Sequence, residues 1–255
     1  MDVYQIANAL LIVLCAGFLQ GMVAFGFGLF SVPLLLTIGL PVPAVLAVSS
    51  ICTALQTASG VHHLRSAVPW KEVWASTVVR AVAMLFGIWV LSVLATFPVG
   101  RIKFWVGLVM LLMVVLQALW RPSPRAKLHN GWNLAAFLAS GFANGLCSMG
   151  GPPLVLWVMA HDWTAERTRA FLFASFMSLI PLQLAVLYLT FGHEVLRGMM
   201  LGIAFSPVVL LGSLLGLRIG TRFSKTFLTR LAFLVLAAIA VNAMYPEIRR
   251  VLQTY

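Results

Sequence analysis

Two stretches of this chain, Gly17 to Gly28 and Gly141 to Pro152, set glycine, amide and proline residues inside otherwise continuous apolar sequence. At an offset of 124 residues, Gly17-Phe18-Leu19-Gln20-Gly21 falls on Gly141-Phe142-Ala143-Asn144-Gly145, and Gly26 falls on Gly150. Glycine and proline free backbone groups that lipid cannot satisfy. Such a break survives at membrane depth only where protein or a water-filled cavity takes over its hydrogen bonds. Two matched breaks in two halves of one chain point to a substrate site.

That the surroundings are membrane follows from composition. Hydrophobic residues make up 62% of the chain and charged residues 9%, with a mean hydropathy of +1.02, whereas about a quarter of the residues of a soluble domain are charged. The chain reads as a polytopic membrane protein. Its longest polar interval, Arg121 to Gly131, is only a loop, so one membrane domain over 1–255 is expected. The start, Met1-Asp2-Val3-Tyr4, has no basic n-region, and the first apolar segment is expected to stay uncleaved. Cys15, Cys52 and Cys147 lie in apolar segments without metal-ligand spacing and read as small core residues. No metal or cofactor is expected. The net charge of +11 sits in short loops between apolar runs. The positive-inside rule accounts for it, with anionic headgroups as a minor attraction, and a nucleic-acid partner is not expected.

Six runs, 42–61, 73–95, 102–120, 169–191, 198–217 and 227–245, are close to the ~20 residues a helix needs to cross the hydrocarbon core. Two further apolar stretches, 3–39 and 132–160, carry the breaks. Their second arms have at most 12 and 9 residues, or roughly 14 to 18 Å of helix. Each stretch is therefore either a re-entrant hairpin of unequal arms or one long kinked crossing. Basic residues discriminate between these. With single crossings the loops carry 8 Lys and Arg on each side, which sets no orientation. With hairpins, one face collects Arg65, Lys71, Arg121, Arg125, Lys127, Arg167, Arg169, Arg218, Arg222, Lys225 and Arg230. The other has Arg101, Lys103, Arg197, Arg249 and Arg250. The richer face belongs in the cytoplasm and both termini outside.

The hairpin reading gives each half three full crossings and makes the halves enter from opposite sides. The expected fold is all-α, two inverted repeats of three transmembrane helices plus a broken hairpin. Repeat one covers 1–120, a cytoplasmic linker 121–131, and repeat two 132–255. Weaker matches at an offset of 126 agree: Ala44, Leu46 and Ser49 fall on Ala170, Leu172 and Ser175, and Phe97 on Phe223. Shared Ala, Leu and Gly are also common to unrelated membrane helices.

The run Gly17-Phe18-Leu19-Gln20-Gly21, the Gly26-Phe27-Gly28 break, Val32-Pro33-Leu34-Leu35, Ala44, Ser49 and His62-His63-Leu64-Arg65 resemble the first half of the sulfite exporter TauE/SafE family. Ser140-Gly141-Phe142-Ala143-Asn144-Gly145 and Gly150-Gly151-Pro152-Pro153 are similar to that family's repeated motif. The resemblance covers essentially the whole chain. It implies a multi-pass inner-membrane carrier for small sulfur-containing or organic anions, such as sulfite, sulfonates or sulfoacetate. Where the family's first break is commonly a glycine triplet, this chain has Gly26-Phe27-Gly28, which implies a narrower or more apolar pocket.

In a re-entrant hairpin the second arm begins near the midplane, and its free N–H groups and positive dipole end face the protein centre. That arrangement binds anions without any basic side chain. Gly26, Gly28, Gly150 and Gly151 permit close backbone approach, with Gly21 and Gly145 in the same motifs. Pro152 and Pro153 suit a first helical turn, where no N–H is needed. Gln20 and Asn144 end the first arms and offer amide donors. Ser148, Ser49, Ser50, Thr53, Gln56, Ser175, Ser178 and Gln183 are further polar candidates, although a hydroxyl in a bundle commonly bonds its own helix or a neighbour.

Arg80 is the one charge well inside an expected crossing. It is either a functional intramembrane cation or a side chain that snorkels to the interface marked by Trp70 and Trp74. The acidic residues Asp2, Glu72, Asp162, Glu166, Glu194 and Glu247 map to loops or ends, leaving no buried carboxylate for a proton relay or cation site. His62, His63, His161 and His193 lie at segment ends and read as interfacial anchors, with pH sensing beside the candidate pore-lining helix as the other role. A membrane-embedded enzyme fits poorly. Gly145-Leu146-Cys147-Ser148-Met149-Gly150 is not Gly-x-Ser-x-Gly, and no base is placed against it. A channel, or a non-transporting subunit of a complex, is open beside the carrier reading, and nothing in the sequence sets the oligomeric state.

Overall fold

The computed structural model describes residues 2–23, 25–119, 128–220 and 237–238. The expected crossing at 227–245 lies outside these residues apart from 237–238, as do Phe223 and most of the linker. Among the described residues the chain forms nine α-helices. They are α1 (Val3–Val23), α2 (Phe27–Thr37), α3 (Val42–His63), α4 (Trp70–Leu94) and α5 (Val99–Leu119), then α6 (Asn130–Cys147), α7 (Gly151–Met159), α8 (Ala165–Phe191) and α9 (His193–Gly220). Among the described residues six segments are long and apolar enough to cross a membrane: Val3–Met22, Val42–His63, Trp70–Leu94, Gly100–Gln117, Ala165–Phe191 and His193–Ile219.

Five of these match the expected crossings. The sixth is α1, the first arm of the broken stretch 3–39. It runs unbroken through Gly17 and Gly21, and its helix ends only at Val23. The reason is packing. A Cβ at Gly17 would come within 2.6 Å of the Val209 carbonyl oxygen, and one at Gly21 would collide with the Ser213 carbonyl, so both glycines let α1 lie directly on α9. Gly141 and Gly145 do the same for α6 against Arg80 and Met84 of α4. Such pairs four residues apart let membrane helices approach through their backbones. Half of each glycine-rich stretch therefore joins helices rather than breaking one.

The breaks themselves are short. Gly26 caps α2 with φ +101°, a conformation glycine adopts without strain. Ser148 follows α6 with φ 54°, and Gly150, at φ −69°, caps α7. Gly26 and Gly150 thus hold the same position before a short helix but differ in backbone conformation.

After each break the chain turns back. Gln5 Nε2 near the start of α1 donates to the carbonyl of Ile38 just past α2, at 3.3 Å. Trp157 Nε1 near the end of α7 donates to Asn133 Oδ1 near the start of α6, at 2.8 Å. At 1.5 Å per residue, the 11 residues of α2 and the 9 of α7 make helices about 14 to 16 Å long, roughly half the thickness of a hydrocarbon core.

Helix contacts exchange between the halves. α1 packs on α9 and α6 on α4, while α3 and α8 touch each other and also meet α9 and α4 respectively. The outer face of α4 exposes Trp74, Val78, Val82, Phe86 and Trp89, an apolar stripe suited to lipid.

Candidate functional site

The two breaks meet. A Cβ at Gly28 would strike the Ser148 carbonyl oxygen, so the first turn of α2 lies directly against the second break. Beside this contact is a cavity of about 50 Å³, several times the ~10–15 Å³ that holds one water. Of the residues singled out from the sequence, Gln20, Gly26, Gly28, Ser49, Thr53, Asn144, Ser148, Gly150, Gly151 and Pro152 line it, together with Ser50 and Gln183. Gly21 and Gly145 lie instead in the helix contacts described above. Arg80 and Ser175 are outside the lining, as is Gln56, which is buried with neither amide atom hydrogen-bonded.

Among the described residues no charged side chain lines the cavity, so the electrostatics of this lining come from backbone and amides. The N-termini of α2 and α7 both open on it. Neither has a side-chain cap. First-turn amides have no partner within their own helix, and their dipoles favour negative charge. The two ends are unequal: α2 begins Phe27-Gly28-Leu29 with three N–H donors, whereas Pro152 and Pro153 leave Gly151 as the donor of the first turn of α7.

The amides are unequal too. Asn144 Nδ2 donates to Gln183 Oε1 at 2.9 Å, and Gln183 Nε2 reaches Ser148 Oγ at 2.9 Å and the Asn144 carbonyl at 3.2 Å. α8 is thereby clamped to the second break. Gln20 is 4% exposed and its Oε1 has no partner, as is true of Ser50 Oγ. The Ser49 hydroxyl is engaged with Ser31 of α2 at 3.0 Å. On the far side of α7, Gln117 Nε2 of α5 donates to the Pro152 carbonyl at 3.1 Å.

The sequence match agrees with this architecture. The family model described as sulfite exporter TauE/SafE matches residues 9–243. The chain belongs to the sulfite exporter TauE/SafE family. It is similar to the probable sulfite/organosulfonate exporter TauE of Cupriavidus necator, with 26% identity over 234 residues that cover 91% of this chain and 90% of the relative. No solved structure matches the chain. Membership makes it a multi-pass membrane protein of an exporter family, as the six apolar segments require.

Several residues in and beside the cavity escape sequence reasoning. Phe176 and Ile180 form part of the wall, yet aromatic and aliphatic side chains of a membrane helix carry no signal separating cavity from lipid. Ser140 is another: its hydroxyl donates to the Gly150 carbonyl at 2.6 Å and accepts from Arg80 Nε at 3.1 Å. Its place immediately before Gly141 was the available hint. Arg80 itself is fully buried, so the interface at Trp70 and Trp74 is not where its charge resides. His161 packs between Trp157 and Trp163, with ring centroids 4.1 and 4.7 Å away, in an aromatic cluster at the loop between α7 and α8. The free thiols of Cys52 and Cys147 donate to helix carbonyls.

Proposed function

We propose that the chain carries small anions across the inner membrane by alternating access of two inverted halves, 1–120 and 132–255, around the paired breaks, with 121–131 as a cytoplasmic linker. The substrates are sulfur-containing or organic: sulfite, a sulfonate, or a sulfoacetate-like molecule. The observation that carries this reading is the convergence of two uncapped helix N-termini, α2 and α7, on one cavity that no charged side chain among the described residues lines. An oxyanion there takes hydrogen bonds from the Phe27, Gly28, Leu29 and Gly151 amides, and the side chains of Gln20, Ser50 and Thr53 complete its shell. The exchanged packing of α1 on α9 and α6 on α4 supports the inverted arrangement. In it, the short helices α2 and α7 are re-entrant arms that approach from opposite faces. The family description and the relative's name both speak of export, so outward transport is the direction to test first.

The test is a thermal-shift screen of the purified protein against sulfite, thiosulfate, sulfoacetate, other sulfonates and small carboxylates. A ligand that binds only the folded state raises the melting temperature by mass action. The best stabiliser then goes into proteoliposomes for counterflow, in which a carrier exchanges external for preloaded labelled substrate. Dissipation of the gradient without exchange would make the protein a channel. Absence of any anion-dependent stabilisation would remove the anion reading.

A further inference from the structure

Arg80 is 0% exposed in the middle of α4. Its Nε donates to Ser140 Oγ at 3.1 Å and its Nη1 to the Ser175 carbonyl at 2.7 Å, while Nη2 has no partner. Both partners are neutral. Among the described residues the acidic side chains of Asp2, Glu72, Asp162, Glu166 and Glu194 all lie at helix ends or in loops, and Glu72 is already paired with Arg167 at 3.1 Å. A guanidinium stays protonated in proteins, and a buried charge without an opposite partner is strongly disfavoured. Ser175 Oγ, also fully buried, is a second polar atom without a partner on the residue whose carbonyl holds Nη1. These unsatisfied groups are one residue from the cavity. Phe176 lines the cavity and lies with its ring centroid 5.9 Å from the guanidinium carbon, and Ser140 links Arg80 to the cavity-lining Gly150.

Among the described residues, the matching place has no such feature. Gly17 packs on Val209 as Gly141 packs on Arg80, so an aliphatic side chain occupies the matching place. At the offset of the paired breaks Ser140 corresponds to Ala16, and at the offset of the following helices Phe176 corresponds to Ser50. Neither substitution is a packing requirement of the shared architecture, since the first half packs without them.

We propose that Arg80 Nη2 and Ser175 Oγ form an inner oxyanion subsite, closed from the cavity in this conformation by the ring of Phe176. Its ligand is a sulfite or sulfonate oxyanion that has first entered the cavity, so the subsite rests on the carrier reading above. Rotation of Phe176 opens the cavity toward these two atoms. The anion then gains a charge-assisted hydrogen bond and neutralises the guanidinium, and it does so at one of the two matching places only. Attraction to the fixed charge thus distinguishes the two access states of an otherwise two-fold arrangement.

The experiment uses purified full-length protein, equilibrium binding of sulfite and methanesulfonate, and counterflow of the same probes in proteoliposomes. Arg80→Met is expected to weaken binding of both by about ten- to a hundredfold, with partial recovery in Arg80→Lys, which keeps the charge without the fork. Phe176→Ala is expected to speed exchange and Phe176→Trp to slow it. If folded Arg80→Met binds and exchanges like wild type while Gly28→Leu loses binding, the subsite is overturned and the cavity stands. If Gly28→Leu also binds normally, or neither probe binds the wild type, the cavity reading falls and takes the subsite with it. Should Arg80→Met fail to fold, the Phe176 pair decides: wild-type exchange in both variants overturns the subsite.

Discussion

At the scale of single residues, the amides around the cavity have separable roles. Gln20 lines the cavity with no competing side-chain hydrogen bond, which leaves its Nε2 donor for an anion and makes it a direct ligand candidate. Asn144 is tied to Gln183. A hydrogen bond to a charged group contributes about 1.5 to 3 kcal/mol. Gln20→Leu should accordingly lower anion affinity by roughly ten- to a hundredfold, measured by titration of the purified protein. For Asn144→Leu and Gln183→Leu the double-mutant cycle is the informative measurement. Because the two amides share their bonds, a coupling of roughly 0.5 to 3 kcal/mol is expected. Additive losses would instead make them independent ligands.

At the scale of helices, the glycines sort into two mechanisms that stability measurements can separate. Gly17 and Gly141 stand where a neighbouring backbone leaves no room for a Cβ. Gly17→Val and Gly141→Val should each destabilise by about 1 to 3 kcal/mol through overpacking, seen as a lower melting temperature in detergent. Gly26 has nothing within 4 Å of a built Cβ, but its φ is +101°. Gly26→Ala should cost about 1 to 2 kcal/mol through backbone strain alone. A Gly26→Ala protein as stable as wild type would mean that the break relaxes to another conformation.

At the scale of the whole molecule, orientation follows from charge. The helix ends on the side of α3–α4 and α7–α8 carry Arg65, Lys71, Arg167 and Arg169, whereas the α4–α5 and α8–α9 ends carry Arg101, Lys103 and Arg197. The positive-inside rule predicts that the first side is cytoplasmic and both termini are outside. Alkaline phosphatase fused after Tyr255 should then be active and a fluorescent protein at the same point dark. The reverse pattern rejects the topology. Inversion of the halves also predicts that cysteines placed at Gly39 and at Asp162, past the ends of α2 and α7, are labelled from opposite faces by an impermeant maleimide.

By itself the sequence determined that this is a multi-pass membrane protein, because lipid admits long apolar helices and excludes unsatisfied backbone. It also determined that the breaks after Gln20 and Asn144 come in a matched pair, and the motifs around them carried the family. It did not separate Gly17 and Gly21 from Gly26, since a glycine required for close packing and one required for positive φ look alike in one dimension. Nor did it place Phe176 in the cavity wall or Arg80 behind it: both depend on which face of a uniformly apolar helix turns inward. The tertiary structure decided those points by bringing α4, α6 and α8 together, so that Ser140 and Ser175, 35 residues apart, hold one guanidinium. Long-range packing of helices with little amphipathic pattern is set by small residues and polar bonds at contacts, and these acquire meaning only when the partner helix is known.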